Sequence, residues 1–319
     1  MTAAIDIAKQ GFEVHLLEKE KELGGWFRDR EYLLTEGLQE RFQSLLAGVG
    51  ENEKIQIHLN SKLANVDGEP GGFKSTISEN GKKTTVESGV IIVATGAEEY
   101  RPGEFLYGED KRVITQTELE ERLQKGELSA QNVVMIQCVG SRNDQHPYCS
   151  RDCCRRAIEN SLKIKNLKPK TEIYILHRDI RVYDFSEDLY SEALENGVQF
   201  IKVGTDIAVR DEDGVTITVV DVDNQKELRL SPELLVLSTG IVPPAENPHL
   251  AELLGVSVDS DGFFQEAETK LRPVEFERQG LFLCGLAHSP MSTGEGVAQA
   301  TAVAGKAGLI LSGGKGKSQ

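Results

Sequence analysis

Four cysteines are the residues of this 319-residue chain best placed to do chemistry: Cys138, Cys149, Cys153 and Cys154. They follow the spacing C-x10-C-x3-C-C, while the fifth, Cys284, stands apart. A chain this long with no secretory signature has little use for a disulfide framework, so a clustered, odd set points to metal or redox chemistry. Four thiolates from one loop and the first turn of a helix can surround an iron–sulfur cluster, which takes Cys ligation at each iron. The same four could bind zinc tetrahedrally. Adjacent Cys153 and Cys154 speak against an ordinary zinc knuckle, where paired C-x2-C turns are the usual solution. A thiolate-ligated cluster is anionic. Arg142, Arg151, Arg155 and Arg156 lie close in sequence, and the helix N-terminus adds a positive end; together they would favour the reduced state, although for Arg155 and Arg156 a solvated helix face is an equal reading. Cys284 ends an apolar strand alone and reads as a packed core thiol.

A second group of residues suits a dinucleotide. Glu18 closes a strand-like run, where an acidic side chain can accept hydrogen bonds from ribose hydroxyls, and Lys19 follows it. The Leu23-Gly24-Gly25 turn lets backbone approach a cofactor with no Cβ in the way. Ala94-Thr95-Gly96-Ala97 leaves a second apolar run, and Leu281–Gly285 forms a third that ends in glycine. A helix begins near Thr293-Gly294, its positive end able to face an anionic flavin ring. His288, beside the Gly285 turn, is the histidine best placed to meet a flavin, whereas His177 and His249 read as structural or surface groups. Each piece is common alone; their order along one chain is what carries the flavin reading. The glycine-rich fingerprint and first strand expected just before Thr2 are not in the sequence. That predicts an N-terminally shortened form of a longer protein.

The elements positioning these residues alternate between helix and strand, which predicts an α/β class with parallel sheets. Residues 2–10 read as a helix stopped by Gly11, followed by strands at 13–18 and 55–59 with a helical segment at 28–50 between them. Strands at 73–77 and 84–87 flank an Asn80-Gly81 hairpin turn. The apolar run 90–94 has the mark of a buried strand. A second unit should place strands at 133–137, 172–177 and 199–203, helices at 152–165 and 186–196, and a hairpin at 208–222. Another buried run at 234–237 ends in Ser238-Thr239-Gly240, and a small-residue helix fills 294–311. The expected organisation is two Rossmann-like domains: residues 1–103 and 233–312 for FAD, 104–232 carrying the cysteines, and a flexible tail at 313–319.

Composition narrows the class. The chain is 39% hydrophobic and 27% charged, an ordinary globular balance, with a net charge of −15 that disfavours nucleic acid or an anionic membrane as partner. No apolar stretch is long enough to span a bilayer, and no signal peptide is evident, so a cytoplasmic location is expected.

The segments EKEKELGG (18–25), VIIVATGAEEYRP (90–102), MIQCVGSR (135–142), YCSRDCC (148–154), LHRDIR (176–181) and LFLCGLAHSP (281–290) together resemble the A subunit of heterodisulfide reductase and its relatives, the iron–sulfur flavoproteins of methanogens and many anaerobic bacteria. The resemblance implies a thioredoxin-reductase-like core with FAD and a [4Fe-4S] cluster. Carried over by position, Cys138, Cys149, Cys153 and Cys154 are the cluster ligands, and Glu18, Gly24, Gly25, Thr95, Gly96 and Gly285 line the flavin. It further implies partner subunits of an electron-transfer complex, or a ferredoxin-like partner, and is compatible with a homodimer. The chain departs from the family in lacking ferredoxin-type cysteine modules and in having Leu286 where an Asp commonly follows the glycine. Two other readings stay open: a zinc-stabilised assembly module with a degenerate flavin site, and an NAD(P)H-dependent flavin disulfide reductase. The second would want a glycine fingerprint where the chain has Cys138-Val139-Gly140-Ser141-Arg142.

Overall fold

The structure is a computed structural model describing residues 1–29, 36–183, 187–211 and 214–315. The predicted helix at 28–50 therefore falls partly, and the tail at 313–319 mostly, outside the described residues. The chain divides into two compact units, Met1–Ala97 with Pro243–Gln319, and Glu98–Val242. The sequence placed these boundaries at 103/104 and 232/233. The shift at the second has a plain cause: the run beginning at Leu234 is a strand of the second unit's sheet.

In chain order, the first unit opens with α1 (Thr2–Lys9), β1 (Val14–Leu17), α2 (Trp26–Asp29), α3 (Glu36–Gly50) and β2 (Ile55–His58). It continues with β3 (Ser61–Asp67), β4 (Phe73–Glu79), β5 (Lys82–Ser88) and β6 (Ile91–Val93). The second unit contains β7 (Glu98–Glu99), β8 (Val113–Thr115), α4 (Gln116–Lys125), β9 (Asn132–Val139), α5 (Cys153–Leu167), β10 (Glu172–His177), α6 (Glu187–Glu195) and β11 (Val198–Lys202). It ends with β12 (Ala208–Asp211), β13 (Val215–Asp221), β14 (Lys226–Leu230), β15 (Leu234–Thr239) and β16 (Ile241–Val242). The chain then returns to the first unit with α7 (Asn247–Leu254), β17 (Leu281–Leu283) and α8 (Thr293–Lys315).

The second unit is built on a five-stranded sheet in the order β11-β10-β9-β15-β8. All four pairings are parallel. Strands buried on both faces lose the alternating pattern and become continuously apolar, as Val133–Ile136 and Leu234–Leu237 do. After β9 the chain winds outward through β10 and β11, then returns to place β15 on the other side of β9. The order of winding thus reverses at the β9–β15 junction. In open parallel sheets the crevice at the carboxyl end of such a junction is where ligands bind, and Cys138 stands at that end of β9.

The first unit has two parallel pairs, β1–β2 and β6–β17, and an antiparallel sheet β3-β4-β5. Helix α1 packs toward both pairs. Its Ala3 and Ile7 join Phe282, Cys284 and Val303 in one apolar cluster, and its Ala4 and Ala8 join Val49 and Ile55 in another. Cys284 is 5% exposed in the first of these, a core thiol as expected. The run 90–94 is less enclosed than its composition suggests, because β6 hydrogen-bonds only to β17 among the described residues: Val93 is buried, Ile91 and Ile92 are half-buried, and Ala94 is exposed. The hairpin turn forms as predicted, with Asn80 and Gly81 at φ 48° and 83°.

Candidate functional site

The cysteine loop is fixed by its own backbone. The next-to-last residue of strand β9, Cys138, is left-handed at φ 61°, and Gly140 (72°) and Arg142 (56°) repeat that conformation, which costs energy for any residue bearing a Cβ. A turn closes from Ser141 N–H to Cys138 C=O at 3.2 Å, and Arg142 N–H donates to Tyr148 C=O at 3.1 Å. The start of β16 clamps the far side. Ile241 N–H donates to Ser150 Oγ at 2.9 Å, and Tyr148 Oη donates to Ile241 C=O at 3.0 Å. Gly140 is pressed against the Tyr100 ring so closely that a Cβ would sit 2.1 Å from ring carbon Cδ1.

This loop and the first turn of α5 bring the predicted cysteines together. Cys138, Cys153 and Cys154 are buried, Cys149 is half-buried, and all are free thiols. Cys153 lies between Cys138 and Cys154, hydrogen-bonded to each. The bond from Cys153 pushes the Cys138 thiol down to about 6 against the opposing effect of burial, with help from the nearby Arg178 and Arg142 guanidinium groups. Cys153, hydrogen-bonded to both neighbours and fully enclosed, is pushed far the other way. Cys154 is lowered by the Cys153 bond and by a hydrogen bond from the Arg181 backbone N–H. Cys149 bonds the Tyr183 hydroxyl, whose ring carries Arg151 at 4.4 Å.

The cations around the thiols differ from those predicted. Arg142 is at the thiols as predicted, its Nη1 3.8 Å from Cys138 Sγ; Arg151 meets Cys149 Sγ through its backbone N–H at 3.4 Å while its guanidinium lies over the Tyr183 ring. Arg155 and Arg156 are engaged elsewhere: Arg155 pairs with Asp152 and Glu159 at 2.7 Å each, and Arg156 with Glu120. Their places are taken by Arg178 and Arg181, from the segment after β10. Arg178 donates to the carbonyls of Arg142 (2.6 Å) and Ser141 (3.0 Å), and Asp179 joins Arg142 to Arg181. Sequence reasoning missed Arg178, Asp179, Arg181 and Tyr183 as part of the site, because only the β9–β10 pairing carries them to it. These polar groups form a shell around three buried sulfurs.

Among the described residues, no three His, Cys, Asp or Glu side chains converge on a point that could hold a single metal ion. The donor set is thiols alone, cushioned by arginines, and its chemistry fits an anionic cluster.

The predicted flavin residues all fall in the first unit, at the carboxyl ends of its parallel strands. Leu283 of β17 pairs with Val93 of β6, so the loops holding Thr95, Gly96 and Gly285 leave one edge. Gly96 (φ 76°) and Gly285 (φ 70°) face open space where a Cβ would project, as does Gly25 (φ 48°). Gly24 is required for another reason: a Cβ there would lie 2.6 Å from Phe42 Cζ. Glu18, just past β1, donates its N–H to His58 C=O at 2.9 Å, and its carboxylate accepts from Glu20 N–H at 3.0 Å. Lys19 is exposed beside it. Gly294 sits in the first turn of α8, where Ser292 and Glu295 exchange side-chain to backbone bonds of 3.3 and 2.8 Å.

His288 belongs to a relay the sequence did not disclose. Gln299 Nε2 lies 2.9 Å from His288 Nδ1, its Oε1 accepts from Gly285 N–H at 3.0 Å, and His288 Nε2 meets Glu266 Oε2 at 3.1 Å. Burial works to raise the Glu266 carboxyl, but the Thr269 hydroxyl and His288 hold it below its usual range. The relay locks the Gly285 turn against α8.

The chain is similar to known proteins. The A subunit of the heterodisulfide, ferredoxin reductase of Methanothermobacter thermautotrophicus is 36% identical over 248 residues, covering 71% of this chain and 37% of its own. The iron–sulfur A subunit of the heterodisulfide reductase of Methanocaldococcus jannaschii is 32% identical over 268 residues, covering 77% and 40%. The chain is a relative of the heterodisulfide reductase A subunit. It spans about two fifths of the length of the A subunits named here. No protein-family model matches it. Among solved structures, the thioredoxin reductase of T. acidophilum superposes with a TM-score of 0.61 at 18% identity, covering 98% of this chain and 94% of that one. The thioredoxin reductase of Lactococcus lactis gives 0.63 at 18%, covering 98% and 95%. The fold is therefore that of the thioredoxin-reductase-like FAD/NAD(P) proteins, as the resemblance implied.

Proposed function

We propose that this chain is an electron-transferring oxidoreductase module that holds FAD in its first unit and a [4Fe-4S] cluster in its second, and works with partner subunits of a heterodisulfide-reductase-like complex. The carrying observation is the grouping of four free cysteines, three buried, under Arg142, Arg178 and Arg181 at the switch point of a parallel sheet. Kinship with the reductase A subunits supports it, one of which is named as iron–sulfur and others of which are named for heterodisulfide and ferredoxin.

Cys138, Cys149, Cys153 and Cys154 would hold the cluster. Glu18, Lys19, Gly24, Gly25, Thr95, Gly96, Gly285, His288 and Gly294 would hold the flavin, the glycines giving it room and Glu18 accepting from ribose hydroxyls. When bound, the flavin would supply two-electron exchange and the cluster one-electron transfer. The residues' own work is positioning and charge. Arg142 and Arg178 set positive charge against the Cys138 sulfur, and Arg181 gives Cys154 a backbone hydrogen bond, arrangements that raise a cluster's potential. The His288–Gln299–Gly285 relay keeps the turn beside the flavin rigid.

Anaerobic preparation followed by iron, sulfide, zinc and flavin analysis tests this reading. About four irons per chain with flavin agrees with it; zinc without flavin overturns it and leaves the structural module.

A further inference from the structure

A buried chain of side-chain hydrogen bonds in the second unit belongs to neither site described above. It starts one turn into α5, two residues beyond Cys154. Arg156 grips Glu120 of α4 with two bonds, Nε to Oε1 at 2.9 Å and Nη2 to Oε2 at 2.7 Å. One turn later on the same face, Asn160 Nδ2 donates to Glu120 Oε1 at 3.1 Å and to Gln116 Oε1 at 2.8 Å. Gln116 carries the chain into the sheet, its Nε2 donating to Ser238 Oγ of β15 at 3.0 Å. Gln137 of β9 donates to the same oxygen at 2.8 Å. Gln137 is the residue immediately before Cys138.

The chain therefore connects the two elements that carry the buried thiols, the end of β9 and the first turn of α5. Every member is 7% exposed or less. Polar groups at such depth are no more stabilising than well-packed apolar ones, so stability alone does not account for them. Apolar contacts let a helix slide on a sheet by fractions of an ångström, whereas directional hydrogen bonds hold one arrangement. The strand end makes the point sharper: Gln137 Oε1 is buried with no hydrogen-bond partner, a cost that a purely stabilising side chain would not carry.

We infer that Gln137, Gln116, Asn160 and the Arg156–Glu120 pair are positioning residues that fix the separation between Cys138 and Cys153–Cys154. The inference rests on reading these cysteines as one ligand set. Two apolar replacements of similar size, Gln137→Met and Asn160→Leu, cut the network at its strand and helix ends. Three quantities are measured on the full chain: the thermal midpoint of the metal-free protein, the rate of iron loss to a chelator well below that midpoint, and the rate of Cys138–Cys153 disulfide formation in the metal-free protein. The oxidant for the last is diamide, which takes up the two electrons and two protons released by the thiols. The expected result is a midpoint near wild type for Gln137→Met and a lowered one for Asn160→Leu, which leaves buried Gln116 Oε1 without its donor; in both variants iron is lost about ten-fold faster and Cys138 joins Cys153 more slowly. A lowered midpoint with both rates at wild-type values overturns the inference and leaves a purely structural network. If the wild-type chain takes up no iron, the cluster reading fails by itself, and the disulfide rate alone then decides the positioning role.

Discussion

Replacing Gly140 by alanine tests whether the cysteine loop is shaped by steric necessity. Two penalties add. The residue sits at φ 72°, a left-handed conformation that costs a residue with a Cβ about 1–2 kcal/mol. The new methyl would also lie 2.1, 2.2 and 2.5 Å from three carbons of the Tyr100 ring, and overpacking of that kind costs about 1–3 kcal/mol. Gly140→Ala should thus lose about 2–5 kcal/mol. Tyr100 is itself anchored, its N–H to Gly240 C=O at 2.9 Å and its hydroxyl to Glu104 at 3.1 Å, so the ring cannot simply swing aside. Removing the ring separates the two penalties. In the double variant Tyr100→Ala/Gly140→Ala the clash vanishes while the dihedral cost remains, so the pair should couple favourably by about 1–3 kcal/mol. Urea unfolding of the four metal-free proteins of the cycle measures this, with hydrogen exchange over residues 138–149 as the local readout. A Gly140→Ala protein as stable as wild type, or a cycle with no coupling, would refute the reasoning.

Other outcomes follow from the same contacts. Gly24→Ala should drive a Cβ into the Phe42 ring at 2.6 Å and strain a residue at φ 116°, costing about 2–5 kcal/mol and lowering flavin content, measurable by thermal unfolding and absorbance. Arg156→Met alone strands the buried Glu120 carboxylate and should cost about 3–5 kcal/mol, whereas Arg156→Met/Glu120→Leu should recover most of it in urea titrations. The Glu266 carboxyl lies below its ordinary value of 4.5, so its contribution to stability is present above that pH and is lost as pH falls through the lowered value; the stability gap between wild type and Glu266→Gln should close on that acid limb. Cys284→Ala, a change in the core of the first unit, should leave iron content untouched.

Sheet-forming segments were the most legible part of the sequence. Glu172–His177 is the strand the sequence marked, and the central strands β9 and β15 show as Val133–Ile136 and Leu234–Leu237, continuously apolar because both faces are buried. Helix α4 was overlooked, since Gln116–Lys125 carries only Leu119 and Leu123 as apolar residues. Its start was nonetheless written in the sequence, as the Thr115-x-x-Glu118 capping box whose reciprocal bonds measure 3.3 and 2.7 Å. Strand β3 was missed because Ser61, Lys62, Asn65 and Asp67 dilute its pattern. For the site, the thiols were legible because local spacing gathers them, whereas Arg178, Asp179 and Arg181 arrive through a parallel crossover that no short window reports. Sequence proximity alone left Arg155 and Arg156 open between the cysteines and a solvated helix face; Arg155 pairs with Glu159 one turn along α5, and Arg156 with Glu120 of α4.

The central claim is that four cysteines of one loop and one helix turn hold a single redox-active cluster. Electron paramagnetic resonance of the anaerobically prepared, dithionite-reduced chain tests it most directly, with Cys138→Ser, Cys149→Ser, Cys153→Ser and Cys154→Ser beside the wild type. The account predicts a reduced-cluster signal in the wild type that is lost or altered in each of the four and kept in Cys284→Ala. A wild-type chain with no such signal, or one whose signal survives all four substitutions unchanged, would contradict it.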